Sequence, residues 1–236
     1  MWIIAEYEAA SLFSLKLSSA TTSGGKSLLI PTPYAIKMAL LDVACRIWGV
    51  NIAQQRWPII RDFKIAIRPS PTALVSNVFQ RVLRARRGDS EENEDAGFFR
   101  RTIGYREYVS LHGSMSIALG WQADVIHEWA IDLMLNINYL GKRGGFIQLQ
   151  TIPEVTQQIP NSFIALTESQ SSFSINGTLQ VLDDCEKSLT FAKANIYSDE
   201  KIKSDKDRVL RHIVVPYKLK RASKSFTWYE TVEAGR

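Results

Sequence analysis

Thr32-Pro33 opens an apolar stripe and Gly49 closes it, and this bounded helix constrains what the chain on either side can do. Threonine caps a helix N-terminus, proline fits its first turn, and glycine stops its last. Between them Ile36, Leu40, Val43 and Ile47 fall four, three and four residues apart, so they line one face that needs a surface to bury against. A strand follows at Arg61 to Arg68. There Phe63, Ile65 and Ile67 alternate with Asp62, Lys64 and Arg68 until Pro69 ends the pattern.

The same logic orders the rest of the first 150 residues. The first seventeen read as strand, with Phe13, Leu15 and Leu17 on one side. Ser114 to Leu119 reads as another strand and Phe146, Ile147 and Leu149 as a fourth. Between these, Ala123 to Asn136 carries Ile126, Trp129, Leu133 and Asn136 at helical spacing. The string strand, helix, strand, strand, helix, strand predicts an α+β protein of the ferredoxin-like β-α-β-β-α-β type. Residues 76 to 108 interrupt it as a long arginine-rich hairpin insertion. Residues 151–236, richer in Ser, Thr and Gln, form a β-rich extension or small lobe, with strands expected at Phe163 to Thr167, Leu179 to Leu182 and Arg211 to Leu219.

Composition removes several classes. At 236 residues, 45% hydrophobic and 22% charged, the chain is long enough for a real core and is not of disordered type. No apolar run approaches the roughly 18 residues of a membrane span. Met1 to Glu8 has no basic leader, and Cys45 and Cys185 make no paired motif, so a reduced, cytoplasmic setting is expected. The Asn176-Gly177-Thr178 sequon is then incidental. The excess of 29 Lys and Arg over 24 Asp and Glu is concentrated in two places. Arg81, Arg84, Arg86 and Arg87 form one run, answered by Arg100, Arg101 and Arg106 beyond the acidic stretch Asp89 to Asp95. Nine basic residues between Lys201 and Lys224 form the other. Such runs are solvated faces or polyanion contacts.

Two glycine turns carry cations. Ser23-Gly24-Gly25-Lys26-Ser27 precedes the first helix, and Lys142-Arg143-Gly144-Gly145 follows the second. The first lacks the upstream glycine of a phosphate loop, since Ala20 stands there, but a basic glycine turn beside a helix start can hold one phosphate. The second also reads as a helix C-cap. The insertion mixes arginine with Phe98, Phe99, Tyr105 and Tyr108, a combination suited to phosphate contact and base stacking. Catalytic signals are sparse. His112, His127 and His212 are scattered, no metal-ligand spacing occurs, no cofactor is expected, Asp183-Asp184 reads as a turn, and the six tryptophans read as core.

Three stretches resemble a known family. They are residues Thr22 to Leu41, Tyr105-Arg106-Glu107-Tyr108-Val109, and Asn138-Tyr139-Leu140-Gly141-Lys142-Arg143-Gly144-Gly145-Phe146. The first two resemble CRISPR-associated family five proteins, and the third is similar to the glycine-rich loop of the wider RAMP superfamily. The resemblance covers about residues 1 to 150. It implies a ferredoxin-like domain with a hairpin thumb, here about residues 76–108, that binds and caps the 5′ handle of CRISPR RNA in a type I Cascade complex. Its partners would be crRNA, the backbone and large subunits, and target DNA through the complex, or transposition proteins where a complex guides transposition. The RNA-binding residues so implied are Ser23, Gly24, Gly25, Lys26, Ser27, Arg81, Arg84, Arg86, Arg87, Arg100, Arg101, Tyr105, Arg106, Lys142, Arg143, Gly144 and Gly145. Some members cut repeat RNA with a tyrosine, histidine and lysine group that does not map here, so a non-catalytic subunit is expected. The alternatives are an endoribonuclease acting through His112 or His127 and a protein-interaction module.

Overall fold

The computed structural model describes residues 1–16, 26–85, 98–121, 127–142, 144–168, 176–204 and 206–232. It is a mixed α/β protein with antiparallel sheets. The chain runs β1 (Trp2–Ala9), α1 (Pro33–Trp48), α2 (Val50–Asp62), β2 (Lys64–Arg68), β3 (Thr72–Ala85), β4 (Phe99–His112), β5 (Met115–Gly120), α3 (Trp129–Leu135) and β6 (Ile147–Leu149). It continues through β7 (Glu154–Thr156), β8 (Ile164–Ala165), β9 (Thr178–Cys185), α4 (Phe191–Ala194), β10 (Arg208–Val215), β11 (Tyr217–Ala222) and β12 (Phe226–Thr231).

The predicted first helix forms as expected. Thr32 Oγ1 accepts from the Ala35 N–H at 3.1 Å, Pro33 takes the first turn, and Ile36, Leu40 and Val43 are buried, while Ile47, the last residue of the expected stripe, is exposed. Gly49, at φ +83°, then does more than stop it. Its N–H closes α1 on the Cys45 carbonyl and its own carbonyl receives the Ala53 N–H, so one left-handed glycine joins α1 to a second helix. Sequence reasoning leaves α2 out. Only Ala53, Trp57 and Ile60 of it are buried, while Val50, Ile52 and Ile59 are exposed and Pro58 sits inside, so its apolar stripe is narrow and blurred. Arg61 and Asp62 belong to this helix, and the alternating strand starts at Lys64.

The first sheet has the order β6-β1-β5-β2-β8, with β7 also paired to β1. Ile3, Ala5 and Tyr7 point from β1 into the core, where the Tyr7 hydroxyl donates to the Met134 carbonyl of α3 at 2.7 Å. The first strand is shorter than the seventeen residues expected. After Ala9 the chain changes partners: Ser11 Oγ bonds the 144–146 turn, and Phe13 exchanges backbone bonds of 2.8 and 2.7 Å with Val109 of β4. The described part of the second predicted helix is also shorter, Trp129–Leu135, and residues 122–126 lie outside the described set.

The second sheet has the order β11-β12-β3-β4. Strands drawn from beyond residue 150 thus join both sheets: β7 and β8 the first, β11 and β12 the second. The β9-β10 pair stands by itself and packs on α1 through charge. Here the reading of Asp183-Asp184 as a turn is corrected. Both lie in β9 and are buried, because each has a distant cation: Lys37 Nζ is 2.6 Å from Asp184, Arg211 Nε is 3.1 Å from it, and Arg208 pairs with Asp183. Arg208 also lies 4.0 Å over the Tyr34 ring.

A third buried carboxylate ties the loop before β10. Asp207 accepts from Lys193 Nζ at 2.7 Å, the Lys203 N–H at 2.8 Å and Ser188 Oγ at 2.9 Å, and these bonds hold its carboxyl at about 2, down from 3.8. A depressed folded pKa means that this stabilisation is complete above about pH 4 and disappears as the pH falls through about 2. Wild type is therefore expected to lead an Asp207→Asn variant in urea unfolding at pH 7, with the gap closing near pH 2. A gap independent of pH would remove the ionised carboxylate from the account.

Candidate nucleic-acid interface

The second glycine turn is built by backbone geometry. Gly141 and Gly144 take φ of +72° and +108°, the Leu140 N–H donates to the Gly145 carbonyl at 2.9 Å, and the Gly145 N–H to the Lys142 carbonyl at 3.1 Å. A Cβ at Gly145 would stand 2.7 Å from the Leu140 carbonyl oxygen, which fixes glycine there. Ser11 clamps the turn, donating to the Gly144 carbonyl and accepting from the Phe146 N–H. The result presents Lys142 beside β4. Partial burial, and after it the like charges of Arg106 and Lys16, hold the Lys142 ammonium below its ordinary pKa.

The first turn reaches the same strand. The Ser27 N–H donates to Glu107 Oε2 at 2.7 Å and Ser27 Oγ accepts from the Leu15 N–H at 3.0 Å, so the described end of this turn is pinned to β4. Lys26 beside it lines a cleft of about 290 Å³ with Asn77, Tyr105, Arg106 and Glu107. Arg106 is the residue both turns share. Three predicted site residues from distant parts of the chain, Lys26, Arg106 and Lys142, therefore meet at the base of the β3-β4 pair.

The remaining arginines lie farther out. In the β3-β4 register Arg84 faces Arg100, Leu83 faces Arg101 and Arg81 faces Ile103. Arg100 is six residues from Arg106, about 20 Å along an extended strand. Tyr105 stacks edge-on against Phe79 with ring centroids 4.9 Å apart, and both are exposed. Ser23, Gly24, Gly25, Arg86, Arg87 and Arg143 lie outside the described residues. Sequence reasoning misses Lys16, Asn77 and Glu107, whose places depend on which strands pair and leave no local signal.

The histidines do not converge. His112 is on β4, His212 is on β10, and His127 sits among the Phe63, Trp121 and Trp129 rings, its pKa lowered by burial and then by Arg56. Trp48 and Trp129, expected as simple core, hold the Arg56 guanidinium between their rings at 4.2 and 4.7 Å. Burial pushes the Cys185 thiol up to about 12 and also raises Cys45, so neither is a ready nucleophile. Among the described residues no group of three or more His, Cys, Asp or Glu could hold a metal, and no helix is long and apolar enough to cross a membrane. A second cleft, of about 580 Å³ beside α2 and β9, has most of its charges paired internally, Lys37 and Arg211 with Asp184, Lys64 with Glu168 and Arg61 with Asp62.

No protein-family model matches the chain. Among solved structures it is similar to a CRISPR protein from Archaeoglobus fulgidus, at 11% identity and a TM-score of 0.41 over 98% of this chain and 92% of that one. It is also similar to a chain of a CRISPR RNA-guided surveillance complex, at 13% identity and a TM-score of 0.44 over 91% and 90%. A curated relative, CRISPR-associated protein Cas5 of Archaeoglobus fulgidus, is 22% identical over 228 residues. That similarity runs through 94% of this chain and 96% of the relative, so the chain is similar to a CRISPR-associated Cas5 protein over nearly its whole length.

Proposed function

We propose that this chain is a non-catalytic subunit of a CRISPR RNA-guided surveillance complex of the Cascade type, where it binds and caps the 5′ handle of crRNA. The observation that carries the reading is the meeting of Lys26, Arg106 and Lys142 beside exposed Tyr105 at the base of the β3-β4 pair. Clustered cations neutralise a phosphate backbone, while an aromatic ring receives a splayed base. The order β6-β1-β5-β2, with α1 and α2 in one crossover and α3 in the other, supports a ferredoxin-like scaffold. In this reading β3 and β4 are the thumb, and Arg81, Arg84, Arg100 and Arg101 extend the contact toward the backbone and large subunits. The separation of His112, His127 and His212 favours holding RNA over cutting it.

The test is binding of a labelled CRISPR repeat RNA and a scrambled control at several salt concentrations, followed by a gel of the same RNA in EDTA. Tight, repeat-preferring binding with intact RNA supports the capping role. Cut RNA replaces it with a metal-independent nuclease, and equal weak binding of both RNAs removes handle selectivity from the isolated subunit.

A further inference from the structure

The two faces of the second sheet differ in kind. One face, with Ala73, Val75, Val109 and Leu111, is buried, and Tyr229 packs with it. The register places the opposite set together: Tyr108, Ser76 and Phe226 in one row, Ser110, Leu74, Trp228 and Arg221 in the next, and His112, Thr72, Glu230 and Lys218 in a third. Leu74, Phe226 and Trp228 are only half buried. An irregularity between Leu219 and Arg221 breaks the alternation of β11, so that Lys220 reaches Glu230 at 3.3 Å on this face while Arg221 stands opposite Trp228.

We infer that this face is a stacking platform for single-stranded RNA, continuing from the hairpin base across Phe226 and Trp228 to the cations of β11. The inference deepens the proposed function and rests on it. Charge selects the occupant. The carboxylate of Glu230 is already engaged by Lys220, whereas Lys218, Arg221 and Arg106 have no ion pair among the described residues. A polyanion matches that balance, and flat aromatic rings on an open sheet match unstacked bases. Continuity points the same way. Tyr108 shares the row of Phe226, two strands and about 10 Å away, and lies beside Lys142 at the other edge.

The test is photocrosslinking of the full chain to a 4-thiouridine-substituted repeat RNA, with peptide mapping, alongside affinity measurements. Crosslinks at residues 226–228 are expected, together with a tenfold or greater loss of affinity for Trp228→Ala and recovery by Trp228→Phe. Lys218→Glu with Arg221→Glu, which alters only exposed side chains, should weaken binding to a similar degree while leaving the thermal transition in place. Crosslinks confined to residues 105–108 and 139–146, with the β11 double variant binding normally, overturn the platform and keep the handle-binding role. Crosslinks at 226–228 that are equal for repeat and scrambled RNA keep the platform and overturn handle selectivity. No crosslink anywhere overturns both.

Discussion

Replacing Asp184 with alanine is expected to lower the unfolding free energy by about 3–5 kcal/mol, the usual cost of leaving one member of a buried ion pair alone. Lys37 and Asp184 are each 2% exposed, so the stranded ammonium has no water to turn to. Asp184 also accepts from Arg211 Nε and the Cys185 N–H, and its loss therefore loosens the β9-β10 pair from α1 as well. Urea unfolding measures the change. The double variant Lys37→Met, Asp184→Ala should be less damaged than the sum of its single variants, because the buried ammonium is removed together with its carboxylate. Strict additivity would refute the coupling.

Reversing the two cations at the hairpin base, Arg106→Glu with Lys142→Glu, should weaken repeat-RNA binding about a hundredfold near 0.1 M salt, since two attractive phosphate interactions become repulsive. The slope of log affinity against log salt should shrink by roughly 0.7 for each phosphate no longer neutralised. Lys142 already sits near Arg106 and Lys16, which disfavours its charge when free, and a phosphate between them relieves that repulsion. Fluorescence anisotropy across a salt series reads both quantities. An unchanged slope would move the RNA away from these residues, even if affinity fell through an altered fold.

What is legible in the sequence is what neighbours decide. The Thr32-Pro33 cap and the Gly49 stop follow from groups within one helical turn, and the Lys64–Arg68 alternation from a period of two. Asp183 and Asp184 mislead because acidic residues near a strand edge ordinarily mean a turn. Their cations lie 25, 27 and 147 residues away, where local rules do not reach. The candidate site divides in the same way. Lys26 and Lys142 stand out by their glycines, yet only the pairing of both turns with β4 reveals that Arg106 serves the two at once.

The place of β1 also governs the order in which the chain can assemble. It is an interior strand, flanked by β5 on one side and by β6 and β7 on the other. Its partners begin at residue 115, more than a hundred positions after its own end. During synthesis Trp2–Ala9 leaves the ribosome with both edges unsatisfied, one until the chain has grown past residue 120 and the other until it has passed residue 149. At about 5–20 residues per second this is an interval of many seconds in which a hydrophobic strand is exposed to other chains. Production of this protein is thus expected to depend on what protects its first strand while the partners of that strand are still being made.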